Sequence, residues 1–105
     1  MNSDSFQDFV LDQLANVSGV ESRAMFGGRG FYCGRTLFGI VFKGRLYFRT
    51  TAATRPDYTS RGMKPFRPST KQTLKSYHEV PAEILEDRAA LAAWAGRAIA
   101  AGQND

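Results

Sequence analysis

The chain has 105 residues, 43% of them apolar and 12% aromatic, and 14 Lys and Arg against 10 Asp and Glu give a net charge of +4. That length supports one hydrophobic core and excludes two, and the aromatic content argues against disorder. One cysteine rules out an internal disulfide, no apolar run is long enough to span a bilayer, and the polar opening Met1-Asn2-Ser3-Asp4-Ser5 lacks the features of a secretory signal, so a reducing cytoplasm with no membrane partner is expected.

The first segment reads as a helix. Ser5 is placed to cap it, with Asp8 three residues on, and Phe6, Phe9, Val10 and Leu14 recur near the helical period. Asn16 to Gly19 ends it. From residue 21 to residue 50 glycines break a series of short strands. Arg23–Phe26, Phe31–Cys33, Thr36–Phe42 and Arg45–Arg49 are separated by Gly27-Gly28-Arg29-Gly30, Gly34-Arg35 and Lys43-Gly44. Breaks this short demand antiparallel pairing, hence a meander. Thr36–Phe42 is almost wholly apolar or β-branched, as befits a central strand. In Arg45–Arg49 the alternation puts Leu46 and Phe48 on one face and Arg45, Tyr47 and Arg49 on the other.

Residues 53–61 read as a short helix with Thr54 as cap and Pro56 in its first turn, ended by Gly62. Residues 63–68, Met-Lys-Pro-Phe-Arg-Pro, read as loop, and Thr73–Val80 as a further strand. Pro81 starts a turn of helix through Leu85. Asp87 then caps a last helix with Leu91, Trp94, Ala95, Ala98 and Ile99 on its apolar stripe. The expected architecture is α+β: a two-layer fold with an antiparallel sheet of about four to five strands packed by the N- and C-terminal helices. The single domain spans residues 1–105, with its core over about 5–101.

Charge is distributed unevenly. Residues 1–21 carry four acids and no base, and residues 79–105 carry five acids against Arg88 and Arg97. Residues 22–78 hold twelve Lys and Arg and only Asp57. Such a segment attracts polyanions or an acidic protein surface if its cations gather; the acidic ends can equally fold back and cancel it. The candidate DNA or partner surface is Arg23, Arg29, Arg35, Lys43, Arg45, Tyr47, Arg49, Arg61, Lys64, Arg67 and Lys75. Arg45, Tyr47 and Arg49 would set two guanidiniums beside a ring, which suits phosphates and bases, or would simply line a solvated edge. Neither terminal helix is basic enough to read a major groove.

Catalytic and nucleotide motifs are weak. Gly27-Gly28-Arg29-Gly30 lacks dinucleotide-binding spacing and a following helix, and Gly39 to Gly44-Arg45 lacks the Lys-Ser/Thr of a phosphate loop. Turn geometry accounts for these glycines. Cys33 and His78 are the only residues of their types, too few for a zinc site of this chain's own, and alternation puts His78 on the face opposite Tyr77 and Glu79. No catalytic residue, metal or cofactor is expected.

Several strings together resemble a known family. They are Arg23 to Tyr32, Phe38-Gly39, Arg45 to Arg49, Gly62 to Phe66, Ser76 to Pro81 and the Trp94-Ala95 helix. The combination resembles the N-terminal domain of the TfoX/Sxy family, here as a stand-alone domain. The resemblance implies a two-layer fold similar to secretion chaperones and a role in regulating natural competence for DNA transformation. It also implies action alongside a cyclic-AMP receptor protein type of transcription regulator. Its motif residues, Met25, Phe26, Gly27, Gly28, Gly30, Gly39, Leu46, Tyr47, Gly62, Pro65, Phe66, Tyr77 and Pro81, look mainly structural, and it supplies no catalytic residue. Two further modes stay open: a protein-interaction module forming a homodimer, and, less favoured, a small enzyme or ligand carrier. Phe31, Tyr47, Phe66 and Trp94 are then either interface anchors or core.

Overall fold

The glycine-punctuated stretch forms the expected antiparallel meander. A computed structural model of the chain describes residues 3–25 and 27–103. After helix α1 (Ser3–Gln13) come strands β1 (Val20–Met25), β2 (Gly28–Cys33), β3 (Thr36–Phe42) and β4 (Arg45–Arg49). Helix α2 (Arg55–Thr59) leads to β5 (Pro65–Ser69) and β6 (Gln72–Glu79), and α3 (Ala82–Leu85) and α4 (Arg88–Gln103) complete the order. The six strands make one antiparallel sheet in the order β1-β2-β3-β4-β6-β5. The fold is therefore α+β, with one strand more than the upper expectation.

That extra strand is β5, which falls where a loop was expected. Pro65 and Pro68 argued against a strand, but β5 lies at the sheet edge and pairs only with β6. A missing N–H on the outer side of an edge strand costs no ladder hydrogen bond. A second difference is at the N-terminus: α1 begins at Ser3, so Ser5 lies inside the helix rather than capping it. The Asp87 cap holds, because its Oδ1 accepts the Ala90 N–H at 3.0 Å. Thr54 takes the cap position of α2 without a side-chain cap bond. It is engaged with Thr51 instead, each backbone N–H donating to the other's hydroxyl at 2.9 and 3.2 Å.

The helices cover one face of the sheet. Val10 of α1, Leu14 just after it, and Leu91, Ala95 and Ala98 of α4 pack on Phe31, Phe38, Val41, Leu46, Phe48 and Val80, all essentially inaccessible. Each large apolar side chain so buried contributes about 1.5–3 kcal/mol, and the alanines of α4 let that helix lie close to the strands. Gln13 is buried with them, its Nε2 donating to the Leu85 carbonyl at 2.9 Å and tying α1 to α3.

A bulge lets one strand serve both faces. Gly39 pairs with Phe31 and Leu37 with Tyr32, which leaves Phe38 as the extra residue. Phe38 accordingly joins the helix-side core while Ile40, two residues on, belongs to a second cluster on the opposite face. That cluster, Ile40, Phe66 and Tyr77 with Leu37, Phe42, Tyr47, Leu74 and Met25 against it, is not left open. Phe66 lies over it with its ring 4.7 Å from Tyr47 and 5.4 Å from Phe42. The β5–β6 hairpin thus curls across the face that carries no helix.

Candidate anion-binding cleft

The curl of the β5–β6 hairpin has an electrostatic result. Between β4 and the hairpin lies a cleft of about 530 Å³ lined by Arg45, Tyr47, Lys64, Pro65, Arg67, Thr73 and Glu79. Arg45 and Tyr47 arrive by strand alternation: in β4 they pair with Phe42 and Ile40, two positions apart, on the face away from the helices. Glu79 is the register partner of Tyr47 on β6, and its backbone N–H donates to the Lys64 carbonyl at 3.0 Å. This bond fixes the entry to β5 beside the pair. Arg67, exposed on β5, donates to the Thr70 carbonyl at 3.1 Å, which orders the hairpin turn.

Three cations and one carboxylate leave the cleft positive. The Arg45 guanidinium donates to both Glu79 oxygens, at 2.9 and 3.2 Å, whereas Lys64 and Arg67 make no ion pair among the described residues. Burial holds the Tyr47 hydroxyl above its usual range, with the Glu79 carboxylate adding to the rise and Arg45 opposing it. Tyr47 is therefore a neutral donor or acceptor at physiological pH. Its ring packs against Phe66, so it acts as the wall of the cleft rather than as a free stacking platform.

The remaining cationic candidates lie elsewhere. Arg49 shares the face of Arg45 and Tyr47, but its guanidinium lies over Tyr77 at 5.8 Å and donates to the Tyr77 hydroxyl at 3.5 Å. Arg23 of β1 lies 5.0 Å over Tyr32, and Lys43, in the β3–β4 turn, lies 5.3 Å over Phe42. Arg35 is in the β2–β3 turn, Arg29 is half-buried in β2, and Lys75 is exposed on β6. Arg61 belongs to the helical layer: it pairs with Glu83 at 3.3 Å and lies over Trp94, which Arg97 also flanks. Among the described residues, the acidic ends reach the basic middle through Glu79 on Arg45 and Glu83 on Arg61.

Thr73 and Glu79 also line the cleft and were not anticipated, and Pro65, expected as a mainly structural motif residue, lines it too. Alternation within β6 could have placed Glu79 on the face of Tyr77, but its meeting with Arg45 depends on β6 inserting beside β4, which no local signal announces. The motif residues fall in turns, close approaches and core. Gly27 and Gly62 have φ of +80° and +77°, and a Cβ at Gly39 would meet the Phe48 ring at 3.1 Å. A Cβ at Gly30 would reach the Met25 sulfur at 2.8 Å, and Gly28 is crowded by the Val41 backbone. Leu46, Phe66, Tyr77 and Pro81 are buried, Met25, Tyr47 and Pro65 are half-buried, and Phe26 lies outside the described residues. Of the aromatic anchors considered, Phe31 and Phe66 are completely buried core.

His78 does face away from Tyr77 and Glu79, packing beside Tyr58 in the helix-side layer. Burial, seconded by Arg55, lowers its pKa. Cys33 is a free thiol whose Sγ donates to the Ser18 carbonyl at 3.7 Å. Among the described residues no three His, Cys, Asp or Glu side chains group as metal ligands, and no helix is long and apolar enough to cross a membrane.

Comparison with known proteins bears on the whole of this arrangement. A search of curated proteins gives no match to the chain. The model of one family, the TfoX N-terminal domain, matches residues 12–102, which run from α1 through all six strands into the last turn of α4. The chain belongs to the TfoX N-terminal domain family.

Proposed function

We propose that this chain is a small non-enzymatic regulatory domain of the cytoplasm, working by protein contacts and touching DNA weakly through the cleft of Arg45, Lys64 and Arg67. Its role would be that of the competence regulators of its family, in company with a transcription regulator of the cyclic-AMP receptor protein type. One observation carries the DNA contact: three cations from separate points of the chain meet at one concavity that, among the described residues, holds a single carboxylate. Arginine forks and a lysine ammonium are the groups that bind backbone phosphates. They position a protein on DNA without reading sequence, and terminal helices poor in Lys and Arg fit that mode.

The test is a fluorescence-anisotropy titration with a short labelled duplex at several salt concentrations. With Arg45 held by Glu79, phosphate contacts from Lys64 and Arg67 give a slope of log affinity against log salt of about −1.8. Replacing Arg45, Lys64 and Arg67 together by alanine should abolish binding. Absence of binding at the lowest salt removes the DNA contact from the proposal.

A specific observation favours a second reading, a protein-interaction module with no nucleic-acid role. Between α1 and α3 lies an apolar cleft of about 360 Å³ lined by Ser5, Phe6, Phe9, Leu85 and Glu86. Among the described residues Phe9 is the exposed large hydrophobic one, 41% accessible, the kind of side chain that anchors a partner. Phe9→Glu would abolish partner binding while leaving anisotropy with DNA unchanged.

A further inference from the structure

We propose that two copies of this chain pair through the free edge of β1, antiparallel, in the one register that centres on Ser22. This goes beyond the DNA and partner contacts proposed above and uses none of the cleft residues.

The two edges of the sheet differ. At one edge, β5 carries Pro65 and Pro68, and its pairing with β6 is interrupted by register shifts. Prolines and irregular ladders are the devices that keep an edge from recruiting another strand. At the other edge β1, Val20-Glu21-Ser22-Arg23-Ala24-Met25, has no proline and pairs in unbroken register with β2. Among the described residues its outer side makes no backbone hydrogen bond to any other segment. Alternate residues of an edge strand aim their N–H and C=O groups outward, and these are a template for a further strand.

The sequence of β1 selects both the occupant and the register. When identical strands pair antiparallel about a two-fold axis, residues facing each other must both point the same way, so the axis passes midway between one residue and its own copy. Centred on Glu21, the pairing brings two carboxylates together on the axis; centred on Arg23, two guanidiniums. Centred on Ser22, it sets Glu21 opposite Arg23 of the second copy, and by symmetry does so twice. Directly opposed unlike charges stabilise a strand pair and like charges destabilise it. Glu21 and Arg23 alternate onto one face, are exposed, and make no ion pair among the described residues. The Tyr32 ring, register partner of Glu21, holds the Arg23 guanidinium at 5.0 Å on that same face. Ser22, facing its own copy across the axis, is small, and Val20 meets Ala24. A six-residue contact buries little area, so the association is weak and concentration-dependent.

Sedimentation equilibrium of the whole chain from the micromolar range to about 1 mM, the weak end of specific association, tests this directly. The average mass should climb from 11.6 kDa toward twice that value. Glu21→Arg and Arg23→Glu should each weaken self-association about tenfold by placing like charges opposite each other at two points. A one-to-one mixture of the two variants should associate again, since the first carries bases at positions 21 and 23 and the second carries acids at both. The double variant, which merely exchanges the two charges, should recover as well. A monomeric wild-type mass throughout overturns the proposal. So do single variants that self-associate as strongly as wild type, or a mixture that does not recover. Because Arg23 lies outside the cleft, none of these outcomes alters the salt-dependence experiment.

Discussion

Glu79 grips the Arg45 guanidinium through both carboxylate oxygens across the β4–β6 pair, and among the described residues it is the only acid in a cleft with three cations. The pair is partly solvated, so it contributes about 0–1 kcal/mol to stability. Its electrostatic effect on a polyanion is larger than its structural one. Glu79→Gln keeps the shape and the backbone bond to Lys64 while releasing Arg45. DNA affinity at low salt should then rise, and the salt slope should steepen by about 0.9, the increment of one added phosphate contact. Anisotropy titrations of the two proteins side by side measure this, and an unchanged slope would show that Arg45 does not meet phosphate.

Phe66 reaches Tyr47 and Phe42 although β5 pairs with neither of their strands. In a flat sheet those strands would lie about 10 and 14 Å away. The completely buried Phe66 ring therefore holds the hairpin in its curl. Phe66→Ala should destabilise the protein by about 3–5 kcal/mol, as for other large-to-alanine core changes. Chemical denaturation measures that loss. The cleft should open with it, so DNA affinity should fall even at temperatures where the variant stays folded.

How far the sequence announces this arrangement depends on the range of the interactions involved. The meander, the Asp87 cap, the apolar stripe of α4 and the opposite orientations of Leu46 and Tyr47 are local, set by turn residues and by periods of 2.0 and 3.6. The combination of the Met25 to Gly30 and Gly62 to Phe66 strings made the family legible as well. By contrast, β5 was hidden by Pro65 and Pro68, whose usual meaning is reversed at an edge. The bulge at Phe38 and the insertion of β6 between β4 and β5 arise from packing across the sheet. The same is true of the cleft: Arg45 and Lys64 lie on separate segments of the chain and meet only because Glu79 bridges them.

Two neighbouring glycines should respond differently to alanine. Gly27 has φ of +80° with open space where a Cβ would lie, so Gly27→Ala costs backbone strain alone, about 1–2 kcal/mol. Gly28 has no such backbone requirement, but its Cβ would run into the Val41 carbonyl oxygen and sit 3.3 Å from the Phe42 Cα. These are backbone atoms of the paired strand and cannot rotate aside. Gly28→Ala should therefore spread β2 from β3 and cost more than Gly27→Ala, about 3 kcal/mol or above. Denaturation midpoints of the two variants give the order, and equal midpoints would mean that the strands yield freely at Val41.

His78 sets the response of the fold to mild acid. Its imidazole is buried beside Tyr58, with the Nδ1 atom lacking a partner among the described residues. Burial first, and the Arg55 charge second, hold its pKa below the ordinary 6.5. The unfolded chain then binds more protons than the native one over the interval between the lowered value and 6.5, and stability rises with pH wherever that is so. The contribution of the neutral ring is complete above pH 6.5 and is lost as the pH falls from there through the native pKa. Urea denaturation at about pH 7.5 and at successive steps below the ordinary histidine value should show this decline. His78→Gln, which has no proton to gain, should be less stable at neutral pH and nearly flat across the same interval; an equally steep decline in the variant would assign the acid sensitivity to the carboxylates instead.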